Sequence, residues 1–158
     1  MCIVYKRHFF DLLRVSRGTL MKKFTSNSQK IGELGEEVAC KYLINKGFSI
    51  LERNYTKKWG EIDIIANKDN NIFFVEVKSK SVNVLPEIGK DGVTYETKGY
   101  RPEENMHPWK LKRLSRTVGT YLISKRVGNT PWQFDLLTVF LDLDNRKARV
   151  KRLENIVL

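Results

Sequence analysis

Histidine and cysteine are scarce in this sequence: two of each occur among 158 residues. His8 lies in a weakly patterned N-terminal stretch and His107 just ahead of a predicted helix. That leaves little material for a histidine-dependent triad or a zinc protease. Cys2 and Cys40 build neither a disulfide framework nor a thiolate zinc site, which fits a reducing compartment. No Gly-x-x-x-x-Gly-Lys-Ser/Thr segment occurs, so a P-loop is excluded. No apolar run approaches the roughly 20 residues of a membrane span. Ile3-Val-Tyr5 is followed at once by Lys6-Arg7-His8, which denies the N-terminus the apolar core of a signal peptide. The expectation is a cytoplasmic protein without a membrane partner.

Acidic residues are also in the minority, 18 against 29 Lys and Arg, for a net charge of +11. The excess is uneven. Residues 1–31 carry +6, residues 32–100 carry −1, residues 101–128 carry +5 and residues 129–158 carry +1. Acids therefore gather in one central stretch with basic flanks, a distribution suited to a polyanion such as nucleic acid.

The acid-rich stretch is Gly60–Lys80, GEIDIIANKDNNIFFVEVKSK. Two apolar runs flank Asn67–Asn71, which is turn chemistry, and the whole reads as a β-hairpin. With the turn centred on Asp69-Asn70, Ile65 faces Phe74, Ile62 faces Val77 and Asp63 faces Glu76. Strand alternation then puts Asp63, Glu76 and Lys78 on one face, with Glu61 one pleat away. Like charges directly opposite are destabilising. A shared proton, the Lys78 ammonium alone or a divalent cation would relieve the pair. Hard oxygen ligands without histidine suit Mg2+ or Mn2+, with Asp63 and Glu76 as metal ligands. Such an ion would activate water and neutralise phosphoryl charge, with Lys78 orienting the attacking water.

The rest of the chain supplies a scaffold. A helix is predicted over Ser28–Lys46, with Ser28 as N-cap and Gly47 as its stop. Glu36 sits at the border of its apolar stripe, where it either stays solvated or reaches inward. Phe48–Tyr55 reads as a strand, and Lys57 and Lys58 stand in the basic turn that follows. A second helix is predicted over Pro108–Lys125, its polar face covered by Lys110, Lys112, Arg113 and Arg116. That face is either solvated or, beside an acidic metal site, available to phosphates. Gln133–Leu141 is nearly continuous in apolar residues and reads as a central strand. Ala148–Leu153 alternates and reads as an edge strand. Two segments fit no element. Residues 1–27 are an N-terminal extension, helical or frayed, unless translation starts at Met21. The connection 81–107 is longer than the usual ~12–15 residues, and is either a flap beside a groove or a surface loop, with Val93–Glu96 a short strand candidate. A single domain over 28–158 is expected.

An acid followed on the next strand by Glu-x-Lys resembles the core of the PD-(D/E)xK nuclease superfamily. More closely, the chain is similar to the YraN-type predicted endonucleases of bacteria. The matching stretches are Gly32-x-x-Gly35-Glu36-x-x-Ala39-x-x-Tyr42-Leu43, Gly47-Phe48 with Ile50-Leu51 and Asn54, and Gly60-Glu-Ile-Asp-x-Ile-Ala66. Phe74-Val-Glu-Val-Lys78, Lys112-Arg113-Leu114 with Tyr121-Leu122, and Phe134-Asp135 complete them. The family's Pro-Asp is here Ile62-Asp63. The resemblance implies an α/β, restriction-endonuclease-like core: a central mixed sheet of about five strands flanked by helices. It implies Asp63, Glu76 and Lys78 as an active centre, and makes Glu36 a fourth catalytic member. Glu61 and Asp135 are lesser candidates. The implied function is metal-dependent hydrolysis of DNA, branched or structured DNA included, by a chain that could be a homodimer. The alternative is a nucleic-acid-binding protein that keeps the fold without turnover.

Overall fold

A computed structural model describes residues 26–86 and 107–158, together with the backbone of Val4 and Tyr5. Helix α1 spans Asn27–Asn45. Its N-cap is Ser26 rather than the expected Ser28, because Ser26 and Gln29 form a reciprocal capping box. At the other end, Gly47 has φ +83°. Its N–H donates to Ile44, and the Phe48 N–H donates to Leu43. This pair of bonds satisfies the last carbonyls and turns the chain directly into strand β2 (Ser49–Lys57).

The expected hairpin is present as β3 (Gly60–Lys68) and β4 (Asn71–Ser81). Asp69 and Asn70 both have positive φ, the two-residue turn whose twist matches that of the strands. Ile65 pairs with Phe74 as the alternation predicted. A second two-residue connection, Lys58-Trp59, joins β2 to β3, with Lys57 paired to Gly60. The chain next resumes at helix α2 (Pro108–Ser124) and continues into strands β5 (Trp132–Asp142) and β6 (Lys147–Leu153). The predicted flap and the Val93–Glu96 strand lie outside the described residues, as does most of the N-terminal extension.

The sheet order is β1-β6-β5-β4-β3-β2, β1 being the two residues Val4–Tyr5. Only β4 and β5 pair in parallel; the other pairs are antiparallel. The sheet is therefore mixed, with β4 and β5 at its centre. This is the α/β architecture of a restriction-endonuclease-like core. β6 is not the edge strand that its alternation suggested, because β1 pairs with its Ala148 and Arg149.

Each helix covers one face of the sheet. On one face Val38, Ala39 and Leu43 of α1 pack with Ile64, Val75, Val77, Leu137 and Val139. On the other face Leu114, Val118 and Tyr121 of α2 pack with Ile62, Ile65, Phe74, Phe134 and Leu136. Tyr121 meets Tyr55 and Phe74 edge to face. α1 lies closest to the sheet at Gly35, where a Cβ would stand 1.6 Å from the Ser79 hydroxyl oxygen. That approach holds the whole helix, and Glu36 with it, against β4.

Asp135 is the buried acid of β5, and its surroundings are structural. Both of its oxygens are occupied: Oδ1 accepts from Gln133 and the Asn155 N–H, and Oδ2 accepts from two nitrogens of Arg152. The group ties the C-terminal segment to the central strand.

Candidate active site

The β3–β4 ladder stops short of the acidic pair. Its last partners are Ile64 and Val75. Asp63 and Glu76 are not a ladder pair, contrary to the alternation argument. Ile62 and Ile65, three residues apart, pack in one core cluster while Ile64 joins the other, so β3 breaks its two-residue alternation at Asp63. On the neighbouring strand Asn54 has φ +52°. A strand distorted in this way leaves a β4 amide without a backbone acceptor on β3. The Asp63 carboxylate fills that place: Oδ2 accepts the Val77 N–H at 2.6 Å.

Glu76 is 5 % exposed, and its Oε1 accepts from two ammoniums. Lys78 Nζ lies at 2.8 Å, and Lys110 Nζ reaches the same oxygen from α2. The two lysines divide the site's electrostatics. Burial pulls the Lys78 ammonium down, but Glu76 beside it outweighs burial and raises its pKa overall. For Lys110 burial prevails, and the Lys78 charge adds to it, so its pKa is lowered. On the Asp63 side, burial and then the Glu76 charge push the carboxyl up to about 7.

Glu36 points the same way in electrostatics if not in direct contact. Its charge is felt by Asp63, and its own pKa is raised by burial first, against the pull of Arg53. Arg53 Nη2 lies 3.9 Å from its carboxylate, and the Asn54 side chain donates to it. Among the described residues no group of three or more His, Cys, Asp or Glu is gathered as a ready metal cage. The structure brings together Asp63, Glu76, Lys78 and Lys110, with Glu36 held beside them by β2.

These acids open onto a cleft of about 360 Å³. Trp59 of the β2–β3 turn and Gly60 and Glu61 at the start of β3 form one wall, and Trp109, Lys110 and Arg113 of α2 form the other. Glu61 is thereby a lining residue with an exposed carboxylate. The basic residues expected to meet a polyanion surround this mouth unevenly. Arg113 donates from Nε to the Trp59 carbonyl at 2.5 Å, which clips α2 to the turn. Lys58 and Arg116 lie over the Trp59 ring at 4.4 and 4.8 Å from its centroid. Lys57 lies over Tyr55, and Lys112 is exposed on α2. None of these five pairs with a carboxylate among the described residues.

Sequence reasoning missed the two tryptophans and the bond from Lys110 to Glu76. The signal for the first was present: Trp59 follows Lys57-Lys58, and Trp109 precedes Lys110, aromatics interleaved with basic residues. The second depends on how α2 crosses the hairpin, which no local pattern reports. Near Lys78, Thr138 stands beside it in the parallel register, fully buried, with its hydroxyl unpartnered among the described residues.

Comparison with known proteins places this arrangement in a wider group. The model of "Uncharacterised protein family UPF0102" matches residues 35–139, a span that contains every residue of the cleft. A UPF0102 protein of Clostridioides difficile (strain 630) is 40 % identical over 115 residues, 73 % of this chain and 89 % of its own length. One from Campylobacter lari is 39 % identical over 125 residues, covering 79 % of this chain and 91 % of the relative. One from Alkaliphilus oremlandii is 35 % identical over 128 residues, covering 81 % and 97 %.

Proposed function

The chain belongs to the UPF0102 family, and from the chemistry of its cleft we propose that it is a metal-dependent nuclease hydrolysing phosphodiester bonds in DNA. The observation that carries the reading is one cleft lined by the half-buried Asp63, the buried Glu76 and Lys110, with Lys78 bonded to Glu76 and a basic rim. The donor set fits a hard divalent cation. It offers carboxylate oxygens and no imidazole or thiolate, and Mg2+ commonly takes only one or two protein carboxylates and keeps several waters. The raised Asp63 supports the fit, because a second negative charge beside Glu76 is unfavourable until a cation joins it. Asp63 and Glu76 would hold the ion, which would supply an activated water and neutralise charge on a phosphoryl oxygen.

The chain's own residues do the rest. Lys78 stays protonated against Glu76 and offers its remaining N–H bonds to the attacking oxygen or to charge developing on the phosphate. Lys110 reaches the same carboxylate oxygen from α2 and would be the second ammonium available to a phosphate. Lys57, Lys58, Lys112, Arg113 and Arg116 would meet the backbone phosphates. Glu36, fixed by Arg53 and Asn54, adds negative charge behind Asp63 and strengthens the attraction for a cation.

The test is cleavage of linear, forked, flapped and four-way DNA with Mg2+ or Mn2+, beside Glu76→Ala and Lys78→Ala. Loss of at least ~100-fold in rate in both variants is expected for charge-stabilising groups. Equal cleavage by wild type and variants overturns the assignment. One observation favours a second reading, a DNA-binding protein without turnover: Glu76 is already neutralised by two lysines. DNA binding without cleavage under any metal would select it.

A further inference from the structure

The cleft contains more aromatic surface than phosphodiester hydrolysis requires. Both walls carry an indole, and the two differ in how they are occupied. Trp59 is partly buried and is covered by cations, with Lys58 and Arg116 both within 5 Å of its ring centroid. Trp109 is 61 % exposed, and the Arg113 guanidinium lies 5.9 Å from its centroid, at the outer limit of a cation–π contact. A large exposed indole on the first turn of a helix contributes little to the core. Here it borders the same cavity as Asp63 and Glu76.

We infer that Trp109 is a stacking platform for an unpaired nucleobase, and that the cleft takes single-stranded DNA or the unpaired arm of a flap or fork. Lys58 and Arg116, held over Trp59, form the matching rail for the backbone. The inference rests on the reading of the cleft as a nucleic-acid site. The physical case has three parts. Every base has a π-face, and stacking on an aromatic ring is the common way to hold unpaired bases without reading sequence. A base within an intact duplex has its faces covered by its neighbours and cannot reach a ring set in a cavity wall. A guanidinium or ammonium lying over an indole keeps its N–H bonds directed outward, where they suit phosphate oxygens. Trp59 is therefore a positioning residue for the rail, whereas Trp109 touches the base itself.

Binding without metal separates this from cleavage. Oligothymidylate, a strand of abasic sugar-phosphate of equal length, and a blunt duplex would be titrated against the protein, followed by tryptophan fluorescence and by anisotropy of the labelled nucleic acid. Oligothymidylate should quench the fluorescence and bind several-fold more tightly than the abasic strand or the duplex. Trp109→Ala should weaken oligothymidylate binding roughly 5- to 100-fold, as loss of a stacked base does, and leave the abasic strand unchanged. Trp109→Phe should recover part of the loss, which a merely structural role for the indole would not predict. Equal affinity for thymidylate and abasic strands overturns the inference, as does unchanged thymidylate binding by Trp109→Ala. Base-dependent binding with no cleavage by any metal would remove the nuclease reading and leave the platform standing. Metal-dependent DNA cleavage together with unchanged oligothymidylate binding by Trp109→Ala would do the reverse.

Discussion

Asp63 holds its proton at a pH where a surface aspartate has long lost it. Its carboxyl is half-buried; desolvation first, and then the Glu76 charge, move its pKa from the ordinary 3.8 to about 7. Between those two values the folded protein binds more protons than the unfolded chain. Stability therefore falls as pH rises through that window. The thermal midpoint of the metal-free protein should decline from pH 5 to pH 8, and Asp63→Asn, which keeps an acceptor for the Val77 N–H, should flatten the decline. An unchanged slope in that variant, followed by scanning calorimetry, would locate the pH dependence elsewhere. The acid pair and Lys78 were legible because residue type and strand parity are local properties. The geometry joining them was not. It turns on a break in alternation at Asp63 and on a carboxylate standing in for a ladder carbonyl, and Ile62-Asp63-Ile64-Ile65 reads as an ordinary apolar run.

At the scale of elements, the site depends on how closely α1 and α2 approach the hairpin. Gly35 decides the first approach. Alanine is the better helix former by about 1 kcal/mol. Here its Cβ would stand 1.6 Å from the Ser79 Oγ and 2.6 Å from its Cβ, too near for a rotamer change to relieve. Overpacking of this kind costs about 1–3 kcal/mol and should outweigh the gain. Gly35→Ala is expected to lower the urea midpoint and to shift Glu36, the next residue, away from Asp63. Adding Ser79→Gly should restore much of the loss, and a stabilised Gly35→Ala single variant would contradict the close packing. Both helices were legible from their 3.6-residue periodicity to within a residue or two, and the N-cap was misread because Ser26 and Ser28 are equally good cap residues in isolation. Their placement was not legible. α2 delivers Trp109, Lys110 and Arg113 to the hairpin from more than thirty residues away along the chain, so their convergence is a property of the crossover between β4 and β5.

The whole molecule has one feature that only the assembled sheet reveals. The mixed α/β plan was legible, since an apolar β5 run calls for a central strand and the hairpin supplies its neighbours. The closure of the far side was not, because Val4-Tyr5 lies in a stretch whose mixture of aromatics and cations has no strand period. Those two residues pair with Arg149 and Ala148 of β6. A chain begun at Met21 would lack them, and the outer N–H and C=O groups of β6 would stand open along a strand whose Ala148 and Val150 are buried. An open strand edge is a template for another chain. Protein shortened to Met21–Leu158 should self-associate more strongly than the full chain, read as a concentration-dependent rise in sedimentation coefficient. A shortened protein that sediments identically would show that the edge is protected by other means. The short N-terminal strand then acts as a cap against unwanted partners, at the opposite edge of the sheet from β2 and β3, so that edge protection and the cleft are separate properties of one sheet.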